Sequence, residues 1–376
     1  MTTFTSAILI AIGTMSVASA AQVRPVRPEP PPRAERPAPP APPEPATLRA
    51  PAQPPRLALG DDDGRMHWTW SEGWRSLSVS SRGQIELTDD ERDVKSVSPN
   101  GYFEISSRGW LSLFGQRYIV GGTDGAMTRR FSVGASERPI DAAARAWIGD
   151  TIQRLVHTGF AAEARVRRII AQQGPVAVLD AISSLSSDYS KSKYFRLLLE
   201  QARLDRSTAE LVLRRAGREI SSDFELARVL TTFTQSNSLD DAMAPTFAEA
   251  AQRMGSDFER ARVLRTVFAT QRHTPAVVNA VLTSSSTIGS DVEKSRVFQD
   301  LAESNDLDAA SVLGLVRAVG LIGSDFEKSR VLRQIIASQR LDAVGRQALL
   351  DVAGRIGSDH ERGRVLSAML QGGTFR

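Results

Sequence analysis

Few side chains in this chain have the types and the spacing that catalysis or metal binding requires. The four histidines, His67, His157, His273 and His360, are scattered, and none has a second histidine four residues away to share a zinc ion on one helix face. The chain has no cysteine, which excludes disulfides, thiolate catalysis and cysteine-bound zinc. We therefore expect a protein that is not an enzyme, with no catalytic, cofactor-binding or metal site and no cofactor.

One short motif has the residue types of an activated nucleophile. Ser190 and Lys193 form a Ser-x-x-Lys sequence, which penicillin-recognising proteins use together with Ser-Asp-Asn and Lys-Thr-Gly motifs. Those companion motifs are absent from the chain. Both residues also occupy fixed positions of a repeated phrase, so the sequence favours a structural role for them.

Two acidic clusters have the oxygen ligands that hard cations such as Ca²⁺ prefer. They are Asp61-Asp62-Asp63-Gly64 and Asp89-Asp90-Glu91. Neither matches a complete calcium loop, so solvated turns are the favoured interpretation.

The phrase that organises the chain is Ser-Asp-Phe-Glu-x-x-Arg-Val-Leu, repeated six times. Its copies begin at Ser187, Ser222, Ser256, Ser290, Ser324 and Ser358, with spacings of 35, 34, 34, 34 and 34 residues. A period of this length is typical of stacked two-helix repeats, in which each unit needs its neighbours to bury an apolar face.

Each copy has the pattern of a helix start. The serine is a predicted N-cap, and in five copies a glutamate three residues later predicts a capping box, in which the carboxylate reaches back to the N-cap amide. The first copy has Ser190 in the glutamate position. An aspartate follows every cap and suits the positive end of the helix dipole. A glycine precedes four of the caps, where the previous helix must end: Gly255, Gly289, Gly323 and Gly357.

A cation stands three residues after the glutamate position in every copy: Lys193, Arg228, Arg262, Arg296, Arg330 and Arg364. Because acids and cations recur in every unit, we interpret them as a structural ladder rather than a ligand site. Behind each cation, pairs such as Val229-Leu230 form an apolar stripe, in which we expect Phe224, Phe258 and Phe326 to be buried between repeats. His360 takes the phenylalanine position in the last copy, and we expect it to pack at the end of the array.

Second helices of the repeats are also visible in the sequence. Thr274-Pro275 is a predicted N-cap followed by proline in the first turn, and Asp306 and Asp342 are candidate starts for two others. Before the array, Asp141 is a predicted cap for a helix through Trp147 and Ile152. Residues 140–376 are therefore predicted to form an all-α solenoid of about 34-residue two-helix repeats, similar in type to HEAT or TPR arrays.

The segment before the helices has a different pattern. Residues 59–139 alternate apolar and polar side chains, as in residues 67–70, 77–79, 85–87 and 102–105, with turn signals between them at 82–83, 88–90, 99–101 and 121–125. This pattern predicts a small antiparallel β domain of six or seven strands and an α+β fold class for the chain. Trp68, Trp70, Trp74 and Trp110 lie here and are expected in its core.

The amino-terminal segments are predicted to be non-globular. Residues 1–20 have an apolar core from Ala7 to Val17 and end in Ala18-Ser19-Ala20, as a secretory signal peptide does. An uncleaved anchor is the alternative, although this core is short for a membrane span. Residues 21–58 contain 14 of the 19 prolines and are predicted to form a disordered, semi-rigid linker.

Charge does not favour nucleic acid as a partner. The formal net charge is +4 and the pI is about 9.7, but the proline-rich segment has six arginines against three glutamates. The rest of the chain is nearly neutral, and no basic stripe interleaved with aromatic residues is apparent. We therefore expect no nucleic-acid partner.

Three phrases together resemble a known family. They are Gly-Gln-Ile-Glu-Leu-Thr-Asp-Asp from Gly83, Asp-Val-Lys-Ser-Val-Ser-Pro-Asn-Gly-Tyr-Phe-Glu-Ile from Asp93, and the Ser-Asp-Phe/Tyr repeats. They resemble the extracytoplasmic tail of bacterial BlaR/MecR-type membrane metallopeptidases and of secreted relatives without the peptidase. The resemblance implies bacterial export and envelope sensing. It does not carry over peptidase activity, because His360-Glu361 is not part of a His-Glu-x-x-His motif.

These observations favour an exported, non-enzymatic bacterial envelope protein, periplasmic or secreted, whose helical repeats bind a protein or an envelope component. One alternative is a ligand-sensing accessory to a membrane signalling or peptidase partner. Another is a hydrolase with its site at the junction of the β and α domains, which a pocket with a shifted acid pair or a bound metal would favour. No membrane span is expected after signal cleavage.

The predicted signal peptide can be tested directly. Intact-mass analysis of the exported protein should give a chain that begins at Ala21, because cleavage is expected after Ala20. A mass that corresponds to a start at Met1 would show that the segment is retained.

Overall fold

The fold combines a small antiparallel sheet with a long run of helices, as the sequence predicted. The computed structural model describes residues 56–61, 65–72, 75–109, 115–123, 126–304 and 307–371. The predicted signal peptide, nearly all of the predicted linker, Trp74, Trp110 and the side chains of Trp68 and Trp70 lie outside the described part. The first strand begins at Arg56, three residues before the predicted start of the β domain at residue 59.

Seven strands form one antiparallel sheet in the order β1-β2-β3-β6-β7-β8-β9, and β4 pairs with β5 in a separate two-stranded ribbon between β3 and β6. The strands are β1 Arg56–Asp61, β2 Arg65–Glu72, β3 Arg75–Arg82, β4 Ile85–Leu87, β5 Val94–Val97, β6 Tyr102–Gly109, β7 Gln116–Thr123, β8 Ala126–Val133 and β9 Ser136–Arg138. Gly121 and Gly122, predicted to lie in a turn, continue β7. At Gly122 a Cβ would lie 2.8 Å from the carbonyl oxygen of Ser98, so glycine permits the close approach of the ribbon.

The sheet and the ribbon share a core with the first helix. Phe103, Ile105, Tyr118 and Val120 are fully buried and belong to the same apolar cluster as Ile152. The ring of Phe103 lies 5.3 Å from that of Phe160, just beyond the helix. The first helix, which the sequence places at the start of the helical region, therefore packs on the sheet.

Fourteen helices follow the sheet within the described residues. They are α1 Ala142–His157, α2 Ala162–Gln173, α3 Pro175–Ser183, α4 Asp188–Gln201, α5 Arg206–Glu219, α6 Asp223–Ser236, α7 Met243–Gln252, α8 Asp257–Thr270, α9 Pro275–Ser286, α10 Asp291–Ala302, α11 Ala309–Val319, α12 Asp325–Ser338, α13 Ala343–Gly354 and α14 Asp359–Gln371. The six that follow the repeated serine (α4, α6, α8, α10, α12 and α14) are called the A helices here, and α5, α7, α9, α11 and α13 are the B helices. Each A helix packs against the next A helix, and each B helix against the next B helix.

The predicted caps are confirmed, with one addition. The serine Oγ accepts the backbone N–H of the residue three positions later, as from Glu259 to Ser256 at 3.3 Å, and the other copies do the same. Among the B helices, Thr274 caps α9 and Asp342 caps α13. The cap of α11 is Asp308; the predicted Asp306 lies outside the described residues.

The second half of the predicted capping box is wrong. The N-cap amide does not bond the glutamate of its own helix but the aspartate of the preceding repeat. Ser256 N donates to Asp223 Oδ2 at 2.7 Å and Gly255 N donates to Asp223 Oδ1 at 3.1 Å. The N-cap amide of the following repeat donates in the same way to Asp188, Asp257, Asp291 and Asp325, and at the first three of these the amide before it donates as well. Each carboxylate therefore bonds the start of the next A helix, and we call this series the aspartate ladder.

The aspartate ladder also explains the glycine before the cap. None of the four glycines has a positive φ, so none of them ends the previous helix in the left-handed conformation that favours glycine. A Cβ at these positions would lie 3.0–3.5 Å from the aspartate Oδ2 of the preceding repeat. Glycine is therefore favoured because the carboxylate approaches the backbone closely.

A second set of cations ties four of the six A helices, α4, α8, α10 and α14, to the end of the preceding or following B helix. Lys294 Nζ donates to the carbonyl of Leu321 at 3.4 Å, and Lys191 Nζ donates to that of Glu219 at 3.0 Å. Arg260 donates to the carbonyl of Met254. These carbonyls lie at or just beyond the carboxyl ends of helices, where unpaired C=O groups favour a cation. Arg260 and Lys294 are buried, so their charges are held within the array.

The helical array is joined to the sheet by a charged cluster. Glu91, in the turn between β4 and β5, accepts from Arg165 at 2.6 Å and from Arg168 at 2.5 Å, both in α2. Arg168 also donates to the carbonyls of Leu87 and Thr88. Arg165 further donates to the hydroxyl of Tyr194 in α4 at 3.1 Å. The ribbon, α2 and the first A helix are therefore fixed to one another.

The aspartate ladder can be tested with Asp257→Ala. The change removes the acceptor of the amides of Gly289 and Ser290, and hydrogen bonds to a charged group contribute roughly 1.5–3 kcal/mol each. Because two such bonds are lost, we expect about 3 kcal/mol less stability, at the lower end of their combined contribution, seen as a lower midpoint in thermal and urea unfolding followed by circular dichroism.

The matched control is Asp359→Ala. Asp359 has the same place in α14, where it pairs with Arg362 of its own helix, and no further repeat follows among the described residues. Both changes remove the same favourable interaction with the helix dipole, about 0.3–1 kcal/mol. Equal losses in the two variants would contradict the aspartate ladder.

Candidate functional site

The Ser-x-x-Lys motif does not form a nucleophile. Ser190 is fully buried, and its Oγ donates to the carbonyl of Thr158 at 2.7 Å and contacts the Oγ of Ser187. Lys193 Nζ lies 3.5 Å from the carbonyl of Gly159 instead. The motif therefore connects α4 to the end of α1, as its position in the repeat suggested.

The acidic turn at residues 89–91 is committed to internal contacts. Glu91 binds two arginines of α2, and Asp90 accepts from Thr88 and from the amide of Arg92. These bonds lower the pKa of Asp90, the Thr88 hydroxyl being the largest cause. No group of three or more histidine, aspartate or glutamate side chains that could hold a metal ion is found within the described residues. Asp89 is exposed to solvent, as predicted for this turn, whereas Glu91 is largely buried.

A pocket of about 290 Å³ lies where the ribbon meets α2. Its charged lining consists of Glu86, Lys95, Arg165, Arg167 and Arg168. The pocket thus presents four cations and one carboxylate. A hydrolase that uses a pair of acids needs two carboxylates facing one substrate bond, and this lining does not bring two together.

The exposed face of the A helices is a stronger candidate. Phe224, Phe258 and Phe326 are 55%, 56% and 51% exposed, so the prediction that they are buried between repeats is wrong. At about 100° per residue, the buried Val-Leu pair five and six residues later lies roughly 140° and 240° around the helix. The phenylalanine therefore points away from the stripe that packs between repeats.

The same position forms a row across the array. We call it the aromatic row: Tyr189, Phe224, Phe258, Val292, Phe326 and His360. Tyr189 is half-buried, and His360 is exposed rather than packed at the end of the array as predicted. Nine large apolar side chains are exposed in the described part of the chain, and four of them, including all three phenylalanines, belong to this row. Exposed apolar surface concentrated in this way marks an interaction site.

The repeated cations lie beside the aromatic row, one helical turn further on. Each of the five arginines pairs with the glutamate three residues before it, as predicted, for example Arg262 with Glu259 at 2.5 Å and Arg296 with Glu293 at 2.6 Å. The glutamate side chains are 8–15% exposed and the arginines 32–46%. The carboxylate therefore lies behind and the guanidinium faces solvent. The guanidinium of Arg228 also lies 5.7 Å from the centre of the Phe224 ring, a cation–π contact.

A third row follows one more turn along the same face: Arg196, Thr231, Arg265, Gln299, Arg333 and Ser367. Arg265 pairs with Asp300 of α10 at 2.6 Å. Arg196 and Arg333 have no ion pair within the described residues, and the Nε of each is buried without a hydrogen-bond partner. Burial, and then the nearby Arg228, lower the pKa of Arg196. The Nη groups of Arg196 and Arg333 are not among the buried atoms and have no hydrogen-bond partner within the described residues, so these two guanidiniums have unused donors on the face of the aromatic row.

The first repeat has a further excess of positive charge. Ser190 replaces the glutamate there, so Lys193 has no carboxylate partner of the repeated kind. Burial lowers the pKa of Lys193, and the neighbouring Arg196 lowers it further. The α4 end of the face is therefore its more electropositive end.

The sequence alone does not reveal this face, for a specific reason. An apolar residue that recurs in successive repeats predicts a core position, and a cation that recurs beside a glutamate predicts a structural pair. The sequence shows no basic stripe interleaved with aromatic residues, but in the structure the repeated arginines and the aromatic row lie side by side on one face. The signal was present in the seven- and four-residue spacings, which place all three rows on one side of the helix.

Comparison of the chain with protein-family models, with curated proteins and with solved structures finds no match. None of the helices in the part of the chain that the structure describes is long and apolar enough to cross a membrane.

The structural contribution of the paired cations can be measured with Arg262→Met. Glu259 is mostly buried and Arg262 is 39% exposed. We therefore expect Arg262→Met to lower the free energy of unfolding by about 1 kcal/mol, near the upper end of what exposed ion pairs contribute. Combining it with Glu259→Gln should cost less than the sum of the two single losses, measured by urea unfolding. The control is Arg214→Met, at an exposed pair of α5. Additive losses would mean that the pair does not stabilise the array.

Proposed function

We propose that this protein is an exported, non-enzymatic scaffold of the bacterial envelope, and that its helical repeats bind a protein or an envelope component through the aromatic row. The observation that carries the proposal is the repetition of an exposed apolar side chain, phenylalanine in three cases and Val292 in the fourth, at one position of four successive A helices. Repeat arrays bind partners along extended surfaces made by neighbouring units.

The stability of the array does not explain the exposed phenylalanines of the aromatic row. An exposed phenylalanine in the first turn of a helix adds little to packing, and polar side chains serve as well there. The neighbouring caps, ladder aspartates and apolar pairs each have a structural contact that explains them. Within the described residues, Phe224, Phe258 and Phe326 are neither members of the buried core cluster nor half-buried residues packed against it, so a partner that covers them supplies the missing explanation.

A second candidate is a sensing accessory of a membrane signalling or peptidase protein. Its support is the resemblance of the phrases from Gly83 and Asp93, together with the repeats, to tails of BlaR/MecR-type proteins. In this case the same face would bind the membrane partner. A hydrolase at the β/α junction has less support, since the lining of the junction pocket is predominantly cationic.

The test is a pull-down from a bacterial envelope extract with a row variant as the comparison. Phe224→Ser, Phe258→Ser and Phe326→Ser are combined in one protein. Because all three side chains are more than half exposed, we expect a melting temperature close to that of the unchanged protein and loss of the bound species.

The control variant combines Val176→Ser, Leu321→Ser and Val344→Ser, three apolar side chains with 46%, 57% and 57% exposure outside the row. It should retain the bound species. Equal retention by the row variant, with a native melt, would remove the aromatic row as the binding surface.

A further inference from the structure

We propose that the ligand of this face is an extended, acidic, proline-rich polypeptide segment in the polyproline II conformation, lying across the A helices with one turn on each repeat. The inference rests on the proposed function and specifies the partner of the same surface. It is carried by three features of the face: the period of the aromatic row, the unused guanidinium donors, and the sign of the exposed charge.

The first feature is the period. Successive A helices pack directly against each other, so their axes are about 8–10 Å apart. A polyproline II helix has three residues per turn and a rise of about 3.1 Å per residue, so the same side recurs every ~9.3 Å. One apolar side chain in every three residues would thus meet Phe224, Phe258, Val292 and Phe326 in turn. About 13–15 residues would cover the row from Tyr189 to Phe326.

Other regular backbones match this period less well. Side chains on one face of a β-strand recur every ~6.6–6.8 Å, and successive turns of an α-helix recur every ~5.4 Å. The side chains of either ligand would no longer lie opposite the aromatic row after one or two repeats. Aromatic rings are also the surface on which proline-rich segments dock in other recognition domains, because the preformed helix loses little entropy on binding.

The second feature is the supply of hydrogen-bond donors. A polyproline II segment has no internal hydrogen bonds, so all its carbonyls need external partners. Arg196 and Arg333 lie on the face of the aromatic row; the Nε of each is buried and closed to a ligand, so the donors open to it are the Nη groups, which have no hydrogen-bond partner among the described residues. An α-helical ligand would offer them no free main-chain carbonyl, since its own ladder uses those groups.

The third feature is charge. The acids of the face are held inward: the glutamates are 8–15% exposed, and each ladder aspartate bonds the next repeat. The groups that reach solvent are guanidiniums, and at the α4 end Ser190 replaces the glutamate, so the half-buried Lys193 has no repeated carboxylate beside it. Carboxylates between the apolar positions of the ligand would therefore face cations. Such complementarity sets orientation and the rate of association.

The probe is a fluorescently labelled peptide of five Pro-Leu-Glu triplets, which places leucine and glutamate each at a three-residue period. Its affinity for the purified protein is measured by fluorescence anisotropy at two salt concentrations. Comparison peptides have the same composition in an order without the three-residue period, lysine in place of glutamate, or two triplets only. We expect each comparison peptide to bind at least ~10-fold more weakly, equivalent to about 1.4 kcal/mol.

Protein variants locate the site. Phe258→Ser with Phe326→Ser should weaken the five-triplet peptide ~10-fold, whereas Val176→Ser with Val344→Ser should leave its affinity unchanged. Arg196→Gln with Arg333→Gln should weaken binding and reduce its salt dependence, because two charged contacts are removed. The matched control is Arg214→Gln with Arg218→Gln, two cations of α5 outside the face.

The outcomes separate this inference from the proposed function. If the row variant loses its envelope partner but the peptide without the three-residue period binds as well as the periodic one, the function stands and the polyproline II ligand is wrong. Tighter binding of a single-stranded oligonucleotide, with a steep loss of affinity in salt, would also overturn the inference. If the periodic peptide binds and Phe258→Ser with Phe326→Ser has no effect, the assigned face is wrong.

Discussion

The hydrogen bonds from each ladder aspartate to the next repeat are the constraint on which the array depends. A helix start has backbone N–H groups without partners in its own helix. Serine satisfies one within the helix, and the aspartate of the preceding repeat satisfies the N-cap amide and the one before it. The bond therefore satisfies a helix start and fixes the position of the next repeat at the same time. Glycine before the cap follows from the space that the carboxylate needs.

This constraint also determines the surface. Since every A helix begins at the same place relative to its neighbour, the residue after the ladder aspartate falls into one row, and the residues four and seven positions later fall into two more. The glutamates that the capping box would have used are instead available to neutralise the arginines from behind. The alignment of these positions into one face is thus a consequence of how the repeats are joined. Its period is that of the repeats, which is why a ligand with its own fixed period is the expected partner.

The sheet is joined to the helical array through charged side chains at the start of the array. Its ribbon contributes Glu91, which binds Arg165 and Arg168, and the hydroxyl of Tyr194 accepts from Arg165. Burial raises the pKa of Tyr194, so the phenol stays neutral and serves as a partner of the guanidinium. The first A helix is therefore held on one side by α2, which the ribbon binds through Glu91, and on the other by α6. The face begins at a fixed end, where its positive charge is least compensated.

The sequence by itself determined the repeats, their period, the serine caps, the buried Val-Leu pairs and the α+β class, because these depend on local backbone chemistry and on side-chain periodicity along one element. It also determined the pairing of Arg262 with Glu259, since residues three apart on a helix are neighbours. Only the tertiary structure decided that Asp223 bonds Ser256, that Gly255 serves close approach, and that Phe258 faces solvent. Each of these depends on which side of a helix meets the next repeat, and a helix sequence with apolar residues on two sides does not state which of them is covered.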